Sequence, residues 1–165
     1  MNFTWRPLLK DDIAFINEFH SRLISKNKLN GISKYLTAKD LLLGDTLYEL
    51  CLNEDNIIKS QVAIDGDTFV GLIIYNIDLV QDKNILELEG MVVHPDMTGR
   101  GIGRRMLNDI INHKLTIFGR DVNLIRAIVE KDNIASQKVF DKNHFRRKDR
   151  NKTADDKYIA YDLEV

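Results

Sequence analysis

Cysteine is almost absent from this chain. Cys51 stands alone among 165 residues, which excludes an internal disulfide framework and suits a reducing compartment. It reads as a small, buried, apolar residue rather than a nucleophile. An excess of one charge is also lacking: 24 basic residues nearly cancel 25 acidic ones, for a net charge of -1. No global field therefore draws the protein to nucleic acid or to a membrane surface. No apolar run approaches the roughly 18 residues of a membrane span, and MNFTWRPLLKDD at the start has no apolar stretch of signal-peptide length. The expected location is the cytoplasm. Repeats, low-complexity tracts and Pro/Gly/Ser linkers are missing as well, so one domain over residues 1–165 is expected. His20, His94, His113 and His144 show no metal-ligand spacing, and with one cysteine no metal is expected.

What is present is the composition of a globular protein, 44% hydrophobic and 30% charged. FTWRPL reads as a first strand. Ile13, Ile16, Phe19, Leu23 and Ile24 recur at helical spacing behind an Asp pair suited to a helix start. A second helix is expected around Thr37 to Leu43, with Gly44 to end it. SQVAI and TFVGLIIYNID flank an Asp-Gly turn, a hairpin signal, and NILELEGMVV follows as a strand interrupted by Gly90. Gly103 to Leu115 is an amphipathic helix with Met106, Leu107, Ile110 and Ile111 on one face. NLIRAIVE is a strand and NIASQKVFDKN a helix with Ala135, Val139 and Phe140 inward. A short strand at Phe145 to Lys148 and the closing strand KYIAYDLEV complete the chain. This order predicts a mixed sheet with helices packed on it, an α/β or α+β layer fold.

HPDMTGRGIGRRML places glycines at 99, 101 and 103, between a strand ending near Val93 and a helix. Glycine contributes no side chain to a core and loses the most backbone entropy on folding. At a helix N-terminus it instead lets an anion reach unpaired N–H groups, so a phosphorylated ligand is the natural occupant. Two phosphate motifs fail on spacing. G-x-G-x-x-G would need glycine where Arg104 or Met106 stands, and a Walker A loop needs a Gly-Lys pair, which the chain lacks.

VVHPDMTGRGIGRRML resembles the acyl-CoA signature of the GNAT superfamily of N-acyltransferases, V-x-P followed by Q/R-x-x-G-x-G/A opening a helix. Val93, Pro95, Gly101 and Gly103 take the matching places, with Gly99 and Arg100 as commonly found. Downstream, NIASQKVFDKNHF resembles the second family motif, with Asn133, Ser136, Lys142 and Phe145 in place. The resemblance spans roughly residues 55 to 165. It implies a mostly antiparallel sheet of about six or seven strands, about four flanking helices, and a splayed pair of parallel central strands.

The resemblance further implies acetyl-CoA as co-substrate and a mechanism of direct acyl transfer to an amine. The CoA pyrophosphate would lie on the N–H groups of Thr98, Gly99, Arg100, Gly101, Ile102, Gly103 and Arg104. Pantetheine would run beside Met91, Val92 and Val93 as an added strand, with a bulge at Gly90 opening the slot. Asn133, Ser136 and Phe140 would belong to the cofactor side. An alkyl ammonium is mostly protonated near neutral pH, so a general base would assist. Glu87 and Glu89, on one face of the strand opposite Leu86 and Leu88, are the candidates. A strand N–H near Met91 to Val93 would polarise the thioester carbonyl.

Three positions depart from the family pattern. Phe140 stands where a proton-donating Tyr is common, leaving water, Tyr158, Tyr161 or an unassisted thiolate departure. Thr98 replaces Gln or Arg, and His144 replaces the Gly of a left-handed turn. The implied function is an acetyl-CoA-dependent N-acetyltransferase acting on a primary amine of a small molecule, protein or peptide. The alternative is a CoA-binding sensor or regulatory module that has lost turnover. Partners are a CoA ester and an amine acceptor, with a homodimer compatible with the fold. HFRRKDRNK reads as a solvated hairpin, and no nucleic acid or membrane partner is expected.

Overall fold

The central hairpins show how the sequence builds the sheet. In a computed structural model describing residues 3–18, 44–53, 57–148 and 157–165, β2 (Lys59–Asp65) and β3 (Thr68–Val80) are joined by a tight turn in which Gly66 takes φ +60°. The next turn, into β4 (Lys83–Val93), uses Gln81 at φ 51° and Asp82 at φ 61°. Both central residues of that turn are left-handed, the geometry that matches the right-handed strand twist. β1 (Thr4–Pro7), β5 (Leu124–Glu130), β6 (Arg146–Lys148) and β7 (Tyr158–Glu164) complete a seven-stranded sheet in the order β1-β2-β3-β4-β5-β7-β6. Every pairing is antiparallel except β4 with β5. The mixed α/β fold and the parallel central pair agree with the sequence reading.

The helices are α1 (residues 13–18, after a 3-10 turn at Lys10–Asp12), α2 (Gly44–Leu52), α3 (Ile102–Phe118) and α4 (Ile134–Lys142). Phe19, Leu23, Ile24 and the stretch Thr37 to Leu43 lie outside the described residues. Gly44 is a correction: it is the first residue of a helix rather than a terminator, and the apolar face of that helix is Leu47, fully buried, with Tyr48, Leu50 and Cys51 packed beside it. Helix α3 likewise runs past Leu115 to Phe118, where Gly119 at φ +68° caps it with its N–H on the Leu115 carbonyl. Ala135 is exposed, and Gln137 is buried in its place on the inward face of α4. No described helix is long and apolar enough to cross a membrane.

Each sheet face carries its own apolar cluster. Tyr75, Leu86, Leu88, Met106, Leu107, Ile110, Ile125 and Phe140 pack on one side. Leu8, Ile16, Leu47, Val62, Leu72, Ile74 and Val92 pack on the other.

An ion pair secures the start of the chain. Arg6 donates from Nη1 and Nη2 to the two Asp12 oxygens at 2.6 and 2.8 Å, and the Leu9 N–H adds a bond at 2.8 Å. Burial pushes the Asp12 carboxyl up, but the hydrogen bonds from Arg6 and Leu9 and the Arg6 charge outweigh it, holding the pKa below the ordinary value. A depressed carboxyl pKa contributes stability above its unfolded value, about 3.9, that is lost as pH falls through the folded value. Arg6→Met, which strands the carboxylate, is expected to cost about 2 kcal/mol at neutral pH. Melting curves from pH 7 down to pH 3 should show the deficit shrinking as Asp12 protonates.

Candidate active site

Strand β4 carries the candidate carboxylates, and its register decides where they point. Tyr75 pairs with Leu88 and Ile74 with Gly90, leaving Glu89 as the extra residue of a bulge. The bulge lies where Gly90 interrupts the sequence pattern, and it resets the alternation. Leu86 and Leu88 join the α3 side, but Val92 packs with Leu72 and Ile74 on the opposite side, while Met91 and Val93 take the α3 side. Glu87 and Glu89 are both half-buried, and both belong to the face away from α3.

At the same point the parallel strands part. β4 pairs with β5 only from Ile85↔Leu124 to Leu88↔Ala127. From Gly90 to Val93 β4 keeps β3 as its partner, and from Ile128 to Glu130 β5 keeps β7. The result is a fork, with Glu89 as the first residue beyond its base. The β4 edge inside it can accept an extended ligand as an added strand.

A row of polar side chains crosses the sheet just below the fork, and sequence reading missed most of it. Asn76, Glu87, Arg126 and Asp162 are consecutive register partners on β3, β4, β5 and β7. Arg126 donates to Asp162 at 3.0 Å and to Glu87 at 3.4 Å. The hydrogen bond to Asp162, with a smaller share from Glu87, raises the Arg126 pKa. Asn76 Nδ2 donates to Glu89 Oε1 at 3.1 Å. Only long-range pairing brings Arg126 and Asp162 to the carboxylates, so no local signal could have found them.

The glycine turn follows β4 directly. Gly99 and Gly101 have φ +79° and +76°, the left-handed region that a side chain would strain, and open space surrounds the place of a Cβ at each. Gly101 caps α3, whose first intrahelical bond runs from the Arg105 N–H to the Gly101 carbonyl at 3.2 Å. The N–H groups of Ile102, Gly103 and Arg104 precede that bond and have no intrahelical acceptor. At Gly103 a Cβ would meet only ordinary van der Waals contacts, 3.5 Å from Val93 and 3.8 Å from Met91 and Val139. The Thr98 hydroxyl and N–H both turn back to the Pro95 carbonyl, at 2.9 and 3.4 Å. Arg100, Arg104 and Arg105 are exposed at the mouth.

Helix α4 borders the turn. Asn133 caps it by accepting from the half-buried Ser136 through the backbone N–H at 3.1 Å. Gln137 ties it to the end of β5 through the Lys131 carbonyl at 2.6 Å. Phe140 is buried, stacked on Tyr161 at 5.2 Å and edge-on to Phe145 at 5.0 Å. Tyr161 is fully buried on β7, separated from β4 by β5. Burial, aided by Asp141, raises its pKa, so it stays protonated at neutral pH. Tyr158 is in register with Glu130, and Lys157 lies over its ring at 5.5 Å.

His144 adopts φ +65°, the left-handed turn that glycine makes freely. Such a conformation costs a non-glycine residue about 1 kcal/mol. His144→Gly is therefore expected to stabilise the fold by about 1 kcal/mol, read as a rise in Tm of about 2–4 °C. An unchanged or lower Tm would show that the turn is not strained.

Other chemistry is sparse. Cys51 is half-buried, with Sγ 3.3 Å from the Ser60 hydroxyl, and burial pushes its thiol pKa up. It lines a cleft of about 240 Å³ with Leu8, Tyr48, Lys59 and Ser60, which none of the candidate residues touches. Among the described residues no group of three or more His, Cys, Asp or Glu is arranged to hold a metal ion. Of HFRRKDRNK, read as a solvated hairpin, residues 144–148 are described; the β6 residues Arg146, Arg147 and Lys148 are exposed, and Arg147 pairs with Asp141 at 2.8 Å.

Known proteins share this fold. The sequence model of the acetyltransferase (GNAT) family matches residues 32–145. No curated protein matches the chain. Among solved structures, Campylobacter jejuni N-acetyltransferase PseH in complex with acetyl coenzyme A is 18% identical, covering 99% of each chain with a TM-score of 0.63. Mycobacterium smegmatis RimJ in complex with CoA-disulfide is 17% identical, with 98% of this chain and 81% of that one covered and a TM-score of 0.73. A mutant form of the spermidine/spermine N-acetyltransferase SpeG from Vibrio cholerae is 17% identical, covering 99% of this chain and 95% of that one with a TM-score of 0.64.

Proposed function

The chain belongs to the GNAT acetyltransferase family, and from that premise we propose that it transfers an acetyl group from acetyl-CoA to a primary amine by direct attack in a ternary complex. One observation carries the reading: the β4–β5 fork opens beneath the glycine turn with Glu89 as the first residue past its base. The pyrophosphate rests on the N–H groups of Ile102, Gly103 and Arg104, where the helix dipole adds a partial positive charge. Pantetheine enters the fork along Met91 to Val93, and a strand N–H there donates to the thioester oxygen.

Glu89, directly or through one water, takes a proton from the acceptor ammonium. The freed nitrogen attacks the thioester carbon, the C–N bond forms, the C–S bond breaks, and CoA departs as thiolate. The second proton lost by nitrogen passes to the thiolate or to solvent. Glu87, tied to Arg126 at 3.4 Å, holds the fork together rather than acting as the base. With Phe140 buried in an aromatic cluster, no dedicated acid is assigned, and a thiolate leaves without one. The whole chain acts as one domain, and a lone cysteine with no partner for an internal disulfide suits a cytoplasmic setting.

Thiol release from acetyl-CoA, followed over polyamines, aminoglycosides, amino acids and peptide N-termini, tests the proposal. At least one amine should give CoA and N-acetylated product in equal amounts. Phe140 in the place of Tyr favours a second reading, a CoA-binding module without turnover. Tight CoA binding with no release for any amine would establish that reading instead.

A further inference from the structure

Strand β5 is interior to the sheet, with β4 on one side and β7 on the other, and its residues are buried or half-buried with one exception. Ile128 is 44% exposed, between Ala127 at 4% and Val129 at 3%. Ala127 and Val129 belong to the cluster beneath α3, so alternation turns Ile128 to the opposite face, which Arg126 and Glu130 share. The usual order of burial is reversed on that face: Glu130 is buried and ion-paired with Lys157 at 2.8 Å, while the aliphatic side chain stands open. An aliphatic residue in the middle of a sheet is ordinarily covered. Its exposure marks an opening in the layer above it.

Register places that opening at the fork. Leu88↔Ala127 is the last β4–β5 pair, so Glu89 is the first residue past the base on one arm and Ile128 the first on the other. Both face away from α3, since Glu89 accepts from Asn76, whose neighbours Tyr75 and Ile77 pack beneath α3. The rung below is occupied by Glu87 and Arg126, joined at 3.4 Å. The carboxylate and the isoleucine therefore stand on opposite arms where the strands begin to part. An amine nitrogen within reach of Glu89 brings its own carbon chain into this gap, and the β5 arm meets that chain with a side chain that neither donates nor accepts. Methylenes placed there lose water favourably, whereas a polar atom would lose hydration for nothing.

We infer that Ile128 is a specificity-determining residue that receives the aliphatic stem of the acceptor, selecting primary amines carried on a run of methylenes. The inference rests on the transferase reading above and adds the class of acceptor: alkylamines are favoured over amines of equal length with oxygen in the chain.

The test titrates methylamine, ethylamine, n-propylamine and n-butylamine against the whole protein saturated with CoA, with binding followed by NMR. All four probes carry one positive charge at neutral pH. Wild-type affinity should rise by about two- to fourfold per methylene, the upper figure being that of a fully buried one. n-Butylamine should also exceed 2-methoxyethylamine, in which oxygen replaces one methylene, by about fourfold or more. Ile128→Asn should flatten the series and bring that pair to within about twofold, and Ile128→Leu should keep both preferences. Should Ile128→Asn not fold, Ile128→Thr carries the same test on a strand-favouring side chain. A series that is flat in the wild type, or equally steep in the polar variant, overturns the assignment. So does a loss of CoA affinity in Ile128→Asn, which would put Ile128 on the cofactor side. No acetyl transfer occurs in this assay, so a failure of turnover with every amine would defeat the transferase reading while the series still judged Ile128.

Discussion

Glu89→Gln is expected to lower kcat/KM for the amine by about 10²–10⁴, the range of a positioned general base, while leaving CoA affinity unchanged. The carboxylate sits on the bulge, immediately past the last β4–β5 pair, and accepts from Asn76 at 3.1 Å. Glutamine keeps the volume and a hydrogen-bonding group but accepts no proton, so the loss should fall on the chemical step. The pH profile separates this from a structural effect. With glutamate, kcat/KM should fall at acid pH as the base protonates, and with glutamine that limb should vanish. Glu87→Gln should show the smaller loss, because Arg126 holds that carboxylate. Equal rates for wild type and Glu89→Gln would remove Glu89 from the reaction.

Gly71→Ala should produce a large loss of stability from a single methyl addition. A Cβ at Gly71 would lie 2.3 Å from the Val92 carbonyl oxygen and 3.0 Å from the Met106 side chain. Met106 can rotate, but the backbone oxygen cannot, since Val92 is locked by its pairing with Leu72. The strands must separate or slip, at a cost of about 3 kcal/mol, which a chain of this size shows as a fall in Tm of about 6–12 °C. Val92 belongs to the stretch proposed to receive pantetheine. CoA affinity should therefore weaken as well, by about tenfold for each 1.4 kcal/mol of displaced contact. A Tm within a degree of wild type would mean that β3 and β4 accommodate the methyl and that this close approach is unimportant.

Gly71 also illustrates what can be read in advance. In the sequence it is one more residue of an apolar run, because its crowding comes from β4 and α3, distant along the chain. The glycines at 99 and 101 are legible because helix start, strand end and spacing are all local. Gly103 is legible as a position but not in its surroundings, where Met91, Val93 and Val139 would meet an added Cβ at ordinary contact distance. Glu87 and Glu89 announce themselves through period-2 alternation with leucines, and Gly90 marks the interruption beside which the bulge forms. Asn76, Arg126 and Asp162 do not, since only register across four strands makes them neighbours. Helix ends mislead in both directions for one reason: glycine terminates a helix only where the apolar face also stops. Gly119 meets that condition after Phe118, and Gly44 does not. His144 is legible as a strained substitution, and its φ of +65° bears that out.

The central claim is that acetyl-CoA in the fork is attacked directly by a bound amine. Initial velocities, measured by varying acetyl-CoA at several fixed concentrations of an acceptor amine that the protein acetylates, address it most directly. Lines that intersect in double-reciprocal plots, with no acetyl adduct on the protein by intact mass, are the expected result. Parallel lines accompanied by an acetylated enzyme would contradict the account, because they require the acetyl group to leave CoA before the amine arrives.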